Sequence, residues 1–190
     1  PSFPLVPSQA GEQEPTVDSP LIGNDGYRFK RGNIIHTLLQ TLPQLTRDKR
    51  ATAAQTFLAY EVHDLSLSQQ KEILEETLEV LENPNFGPLF GANSRAEVSL
   101  VGEVGGYVLS AQIDRLVIAD EKVMIVDYKT NRAPPLSPEE VPLVYLRQMA
   151  AYRAALQNIY PAHSMECFLI WTDGPSLMPL PNRILSAHTP

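Results

Sequence analysis

The order of periodicities along this chain predicts an α/β fold built on a mixed sheet. Apolar residues recur at helical spacing through the first third. The pattern then turns strand-like after Phe86-Gly87-Pro88, and a further helix and strand follow. A third observation is the run Val123-Met124-Ile125-Val126, which is apolar on both faces, as in a central strand covered by helices on each side.

Residues 1–26 are rich in Pro, Ser, Gln and Gly and read as a linker or extended arm, with one folded domain expected over 27–190. From Arg31 the positions Ile34, Ile35, Leu38, Leu39 and Leu42 follow one helical face, and Pro43 marks its end. A second helix is expected from about Asp48 to Glu61. A third runs from about Ser68 to Leu81 and stops at Asn83-Pro84. Its acidic positions Glu72, Glu75, Glu76, Glu79 and Glu82 read as a solvated face. Strands are expected at Ala96–Glu103, Tyr107–Ala119 and Lys122–Lys129, the first two joined by a Gly105-Gly106 turn. The stretch Asn131–Pro142 is a proline-rich loop. Val144–Ile159 is a helix, and Met165–Thr172 is a last strand.

At 190 residues the chain can bury a full core, and no run approaches the ~18 apolar residues of a membrane span. Neither a membrane partner nor a signal peptide is expected. The single cysteine, Cys167, rules out an internal disulfide, a cysteine zinc site and a four-cysteine iron–sulfur cluster within this chain, and fits a reducing cytoplasm. The opening Pro1 reads as the start of a segment cut from a longer protein. The formal charge of −7 opposes a polyanionic partner, yet the excess is local. Residues 127–190 hold five acidic and five basic side chains, so the excess acid lies upstream, much of it between Glu61 and Glu82.

The chemistry concentrates in Ile113-Asp114-Arg115 and Val126-Asp127-Tyr128-Lys129. If Asp120-Glu121 forms a two-residue turn, Asp114 stands opposite Asp127, with Cβ atoms ~4.5–5.5 Å apart. Lys129 then shares the face of Asp127. Two carboxylates so placed repel each other unless a cation lies between them, and hard oxygen ligands of this kind suit Mg²⁺ or Mn²⁺. A lysine alongside can orient an attacking water and offset charge on a pentavalent phosphorus. The plainer alternative for Asp114 is an ion pair with Arg115 or Lys129. In Gly32-Asn33-Ile34-Ile35-His36, His36 lies at the edge of the buried face and could complete a metal site, while Gly32 would admit a close backbone approach. Glu97, at the head of the first strand, is either an exposed residue or a further acid facing the metal. Gln148 and Tyr152 stand four apart on one helix face, so they either edge that helix or brace the site. His63, His163 and His188 have no evident partner, and Cys167 and Trp171 read as packing. No Gly-x-x-x-x-Gly-Lys-Ser/Thr loop is present, so this chain alone is not an ATPase.

Taken together, Gly32…His36, Glu97, Asp114, Asp127-Tyr128-Lys129-Thr130-Asn131-Arg132 and Tyr145-Leu146-Arg147-Gln148-Met149-Ala150-Ala151-Tyr152 resemble the RecB-type PD-(D/E)XK nucleases. Among these they are most similar to the C-terminal nuclease domains of AddA-type helicase–nuclease subunits, through Trp171-Thr172-Asp173-Gly174-Pro175. The resemblance implies a three-layer sandwich around a mixed sheet and Mg²⁺- or Mn²⁺-dependent DNA cleavage. It implies that His36, Asp114, Asp127 and the carbonyl of Tyr128 hold the metal. Lys129 would serve catalysis with Glu97, Asp114 and Asp127, and Gln148, Tyr152 and Arg132 would support the site or the DNA. A glycine often precedes the first metal aspartate in such proteins, whereas Ser110-Ala111-Gln112 stands there in this chain, implying a less bent strand. The lone Cys167 separates the chain from AddB-like relatives that carry four cluster cysteines.

The implied partners are DNA, a helicase portion of the same full-length chain and an AddB-like subunit, in a bacterial cytoplasm. The implied role is trimming of the 3′-ended strand, as an exonuclease, during processing of double-strand breaks. The alternative is a non-catalytic module that keeps the fold to guide DNA or dock a subunit. From its charge, the isolated chain is expected to bind DNA weakly and with strong salt dependence.

Overall fold

The computed structural model describes residues 25–189, so the expected arm lies outside the described residues except for Asp25 and Gly26, which open the first helix. Helix α1 spans Asp25–Thr41, α2 Arg47–Leu58 and α3 Leu67–Glu82. A 3-10 segment at Pro84–Phe90 leads into strands β1 (Ser94–Val104), β2 (Tyr107–Ala119) and β3 (Lys122–Lys129). Helix α4 (Leu143–Ile159), β4 (Ser164–Trp171), β5 (Ser176–Leu180) and a short α5 (Asn182–Ser186) complete the chain. No described helix is long and apolar enough to cross a membrane.

One five-stranded sheet runs in the order β1-β2-β3-β4-β5. β3 and β4 are parallel and joined through α4, and the other neighbours are antiparallel. The apolar run of β3 does what its two-sided pattern predicts. Val123 and Ile125 pack towards α4 with Ile113, Met149, Tyr152 and Leu169. Val126 and Tyr128 pack on the other side with Ile35, Leu38, Leu39, Ile73 and Val80 from α1 and α3. Helices therefore cover both faces and the molecule has three layers, an α/β fold of the expected kind.

Local chemistry sets the boundaries. Ser66 caps α3 in a reciprocal box: the Gln69 amide N–H donates to Ser66 Oγ, and the Ser66 N–H donates to Gln69 Oε1 at 2.8 Å. Gly105 and Gly106 both take positive φ, as a tight hairpin between β1 and β2 requires. The Asp120-Glu121 turn holds the register that its length dictates, with Ala119 opposite Lys122 and Arg115 opposite Val126.

Three elements differ from expectation. β5 was not legible because Pro179 interrupts a five-residue strand; it is tolerated there since β5 lies at the edge of the sheet. At five residues, α5 is too short to show a period. The acidic face of α3 is not uniformly solvated. Glu75, Glu79 and Glu82 are exposed, but Glu76 is buried against Arg31 and Thr172.

Candidate active site

Asp114 sits where β2 and β3 part. Their ladder ends at Arg115 opposite Val126, so the next pair, Asp114 and Asp127, is not closed by backbone hydrogen bonds. Instead the Tyr128 N–H donates to Asp114 Oδ2 at 2.7 Å, and His36 Nδ1 from α1 lies 3.2 Å from Asp114 Oδ1. Asp114 thus ties the two strands to the first helix.

That position requires a break in the pleat. Ile113 packs towards α4, whereas Arg115, two residues on, reaches α1, although in a regular strand the two would share a face. On β1, Ala96 pairs with Arg115 and Val98 with Ile113, and Glu97 between them takes φ +51°, a left-handed conformation rare outside glycine. The distortion expected of a glycine ahead of Asp114 is therefore carried by Glu97 on the neighbouring strand. Arg115 does not pair with Asp114. It donates to the Tyr128 hydroxyl (2.7 Å), Ser94 Oγ (3.0 Å) and the Leu39 carbonyl (2.9 Å), with its guanidinium over the Phe90 ring.

The charges around this break separate in behaviour. Burial opposes ionisation of Asp114, but the adjacent His36 and the Tyr128 N–H hold its carboxyl below the usual range. Asp127 has weaker support, so burial and the neighbouring Asp114 charge raise it, against the pull of Lys129. Burial would push His36 down, but the Asp114 carboxylate outweighs it and lifts the imidazole to about 9. Glu97 is raised by burial and by Asp114.

Lys129 is buried on the α4 side. Its ammonium lies 2.7 Å from Asp127 Oδ2, donates to Gln148 Oε1 at 3.1 Å and sits 3.8 Å above the Tyr145 ring. Gln148 Nε2 donates to the Tyr152 hydroxyl at 3.0 Å, which donates to the Gln112 carbonyl of β2 at 3.2 Å. The pair read from its four-residue spacing therefore links the lysine to the strand that carries Asp114.

Residues 18–172 match the model of the PD-(D/E)XK nuclease superfamily. The chain belongs to that superfamily. Over 64 residues it is 31% identical to an ATP-dependent helicase/nuclease subunit of Streptococcus uberis (strain ATCC BAA-854 / 0140J), a match covering 34% of this chain and 5% of that protein. A solved structure titled "Crystal structure of SSO0001" aligns with 84% of this chain and 82% of its own at 18% identity, with a TM-score of 0.36.

The superfamily implies a divalent metal. Asp114, Asp127, His36 and Glu97 could supply hard or borderline donors, and one observation fits such a group. Asp127 is buried with the Lys129 ammonium 2.7 Å from its Oδ2, and burial and the Asp114 charge both oppose its ionisation. Two buried carboxylates that oppose each other's ionisation are costly in a core and useful at a cation site. As folded, no three His, Cys, Asp or Glu side chains among the described residues already form a cation cage, since His36 and Lys129 occupy the carboxylates.

Sequence reading missed the bracing behind the nuclease motif. Arg31 Nη1 donates to the Thr130 carbonyl at 2.9 Å, and its Nη2 pairs with Glu76. Glu76 accepts from Thr172 Oγ1, and the Thr172 N–H donates to the Lys129 carbonyl at 3.0 Å. Arg132 joins this group by pairing with Glu72 at the surface. A Cβ at Gly32 would stand 3.0 Å from Thr130 Oγ1, a tight contact, so the glycine admits a side chain rather than the backbone expected. The available signal was weak: Arg31 and Glu76 are 45 residues apart, and each resembles a surface residue in its own helix.

Proposed function

We propose that this chain is the nuclease domain of a DNA-processing helicase–nuclease and cleaves phosphodiester bonds with Mg²⁺ or Mn²⁺. The observation that carries the reading is the convergence of Asp114, Asp127, Lys129 and His36 from three elements onto the break between β2 and β3. Asp114 and Asp127, with His36 and the Tyr128 carbonyl, would hold the metal, which supplies Lewis-acid activation of water and of the phosphoryl oxygen. Lys129, fixed by Gln148 and the Tyr145 ring, presents a cation to the charge that develops on the phosphate oxygens. Tyr152 and Gln112 hold Gln148 in place, and Glu97 adds a further acid at the rim, suited to moving a proton.

The similarity to the streptococcal helicase/nuclease protein supports a setting in which unwound DNA reaches this domain from a helicase portion of the same protein. In that setting an AddB-like partner is present, the 3′-ended strand is the substrate, cutting is exonucleolytic and the site of action is the bacterial cytoplasm. The folded unit would run from 27 to 190 behind an N-terminal arm. Incubating the chain with end-labelled single-stranded DNA and Mg²⁺ tests the reading. Cleavage should be lost in EDTA and in Asp127→Ala while circular dichroism stays unchanged. Undiminished cleavage in either condition would overturn it.

A further inference from the structure

A cleft of about 470 Å³ opens beside the candidate active site, between the end of α1, the segment after Phe90 and the start of β1. Its walls include Gln40, Gln44, Phe90, Ser94, Arg95 and Arg115. Three elements that carry site residues, α1, β1 and β2, also line this cleft, whereas β3 does not. Gln40 lies one helical turn beyond His36, Ala96 adjoins Glu97, and Arg115 adjoins Asp114.

The cleft's chemistry differs from that of three other cavities among the described residues. Those along α3 are walled by Glu75 and Glu79, and the one under the proline-rich loop includes Glu140. This cleft combines two arginines, two carboxamides and a hydroxyl, with no carboxylate in its lining. In a chain of net charge −7 that is a local reversal of sign. Arg115 is buried and spends its guanidinium on Tyr128, Ser94 and Leu39, so it supplies fixed positive charge from below. Arg95 is exposed at the rim and has no ion pair among the described residues.

We propose that this cleft binds a backbone phosphate of the DNA strand flanking the phosphate to be cleaved, with Arg95 as the positioning cation. The proposal rests on the nuclease reading for its ligand, but not on turnover. A guanidinium donates to phosphate oxygens through paired N–H groups, and carboxamides on α1 can complete the contact. The subsite would hold the strand in register across the break that carries Asp114, and would counter the repulsion between DNA and the acidic remainder of the chain.

The test is anisotropy binding of a short single-stranded oligonucleotide to the chain in EDTA, titrated over salt. A second oligonucleotide series carries one neutral methylphosphonate at successive positions. Arg95→Ala should weaken binding roughly 3- to 10-fold, as loss of one charge-assisted contact to a solvated phosphate does. It should also lower the magnitude of the log–log salt slope by about 0.7, the value for one phosphate of a single strand. Arg95→Lys should recover the slope, and Lys122→Ala, two strands away and already paired with Glu166, should behave as the parent chain. At one position, the methylphosphonate should cost the parent chain as much as Arg95→Ala does, and cost Arg95→Ala nothing further. Parental affinity and slope in Arg95→Ala, or additive losses at every position, would overturn the proposal. If the coupling holds while no condition yields cleavage, the phosphate subsite stands and the catalytic reading falls.

Discussion

The two faces of the sheet treat polar groups in opposite ways. On the face towards α1 and α3, Arg115 and the Arg31–Glu76–Thr172 group are buried, and they anchor backbone carbonyls at Leu39, Thr130 and Lys129. On the face towards α4, Lys129, Gln148 and Tyr152 form a relay whose ammonium faces the Asp127 carboxylate. One face spends its charge on holding the ends of β3 and β4 in position. The other gathers two carboxylates and their cationic partners where the strands open. The contrast teaches that burial of charge alone does not mark a functional site. Charges spent on backbone carbonyls are framework, and like charges gathered at an opening between strands are the candidate for chemistry.

The sharpest way to break this contrast is to remove charge from the framework face. Glu76→Ala leaves the buried Arg31 guanidinium with only the partly exposed Glu72 carboxylate, and breaking a buried pair costs up to about 3–5 kcal/mol. Urea denaturation should show that loss. Any fall in cleavage by the protein that remains folded should be smaller than that of Lys129→Ala. A stability change below about 1 kcal/mol would mean that water reaches Arg31 and that the group is not framework.

The next effect belongs to the other face. Lys129→Ala should reduce the rate of cleavage ~10²–10³-fold, the usual value of one interaction aimed at developing charge. Gln148→Ala should produce a smaller loss of the same kind, because it loosens the ammonium without removing it. Single-turnover rates on saturating single-stranded DNA would decide this. A larger loss from Gln148→Ala than from Lys129→Ala would reverse the assigned order.

The smallest effect concerns Cys167, a titratable group in the α4-side core with no part in the relay. Burial pushes its thiol up to about 12, from an ordinary value near 9. Below about pH 9 the thiol is protonated whether the chain is folded or unfolded, and its contribution to stability is fully present. As pH rises from 9 towards 12 the unfolded chain ionises first, and that contribution is lost. Cys167→Ala should therefore show a shallower fall of denaturation midpoint with alkaline pH. In the parent protein at about pH 8, where an exposed thiol is reactive, a thiol reagent should label Cys167 only after unfolding. Rapid labelling of the folded chain would show that this core opens more readily than the opposite one.

Much of the frame was legible in the chain's own patterns. Periodicity delimits β2 and β3 as observed, and a two-residue turn between strands dictates register, because each residue of slip would move every side chain to the other face. The same locality explains the early reading of Gln148 with Tyr152, four apart on one helix, and of Lys129 beside Asp127, two apart on one strand. Tertiary structure alone decided the rest. Whether Glu76 faces water or Arg31, whether Arg115 pairs with Asp114 or with Tyr128 and Leu39, and whether Glu97 bends its strand are contests among partners up to 76 residues apart. A charged side chain in a local pattern looks like a surface residue, and only the packing of α1 and α3 onto the sheet removes the water that would otherwise have been its partner.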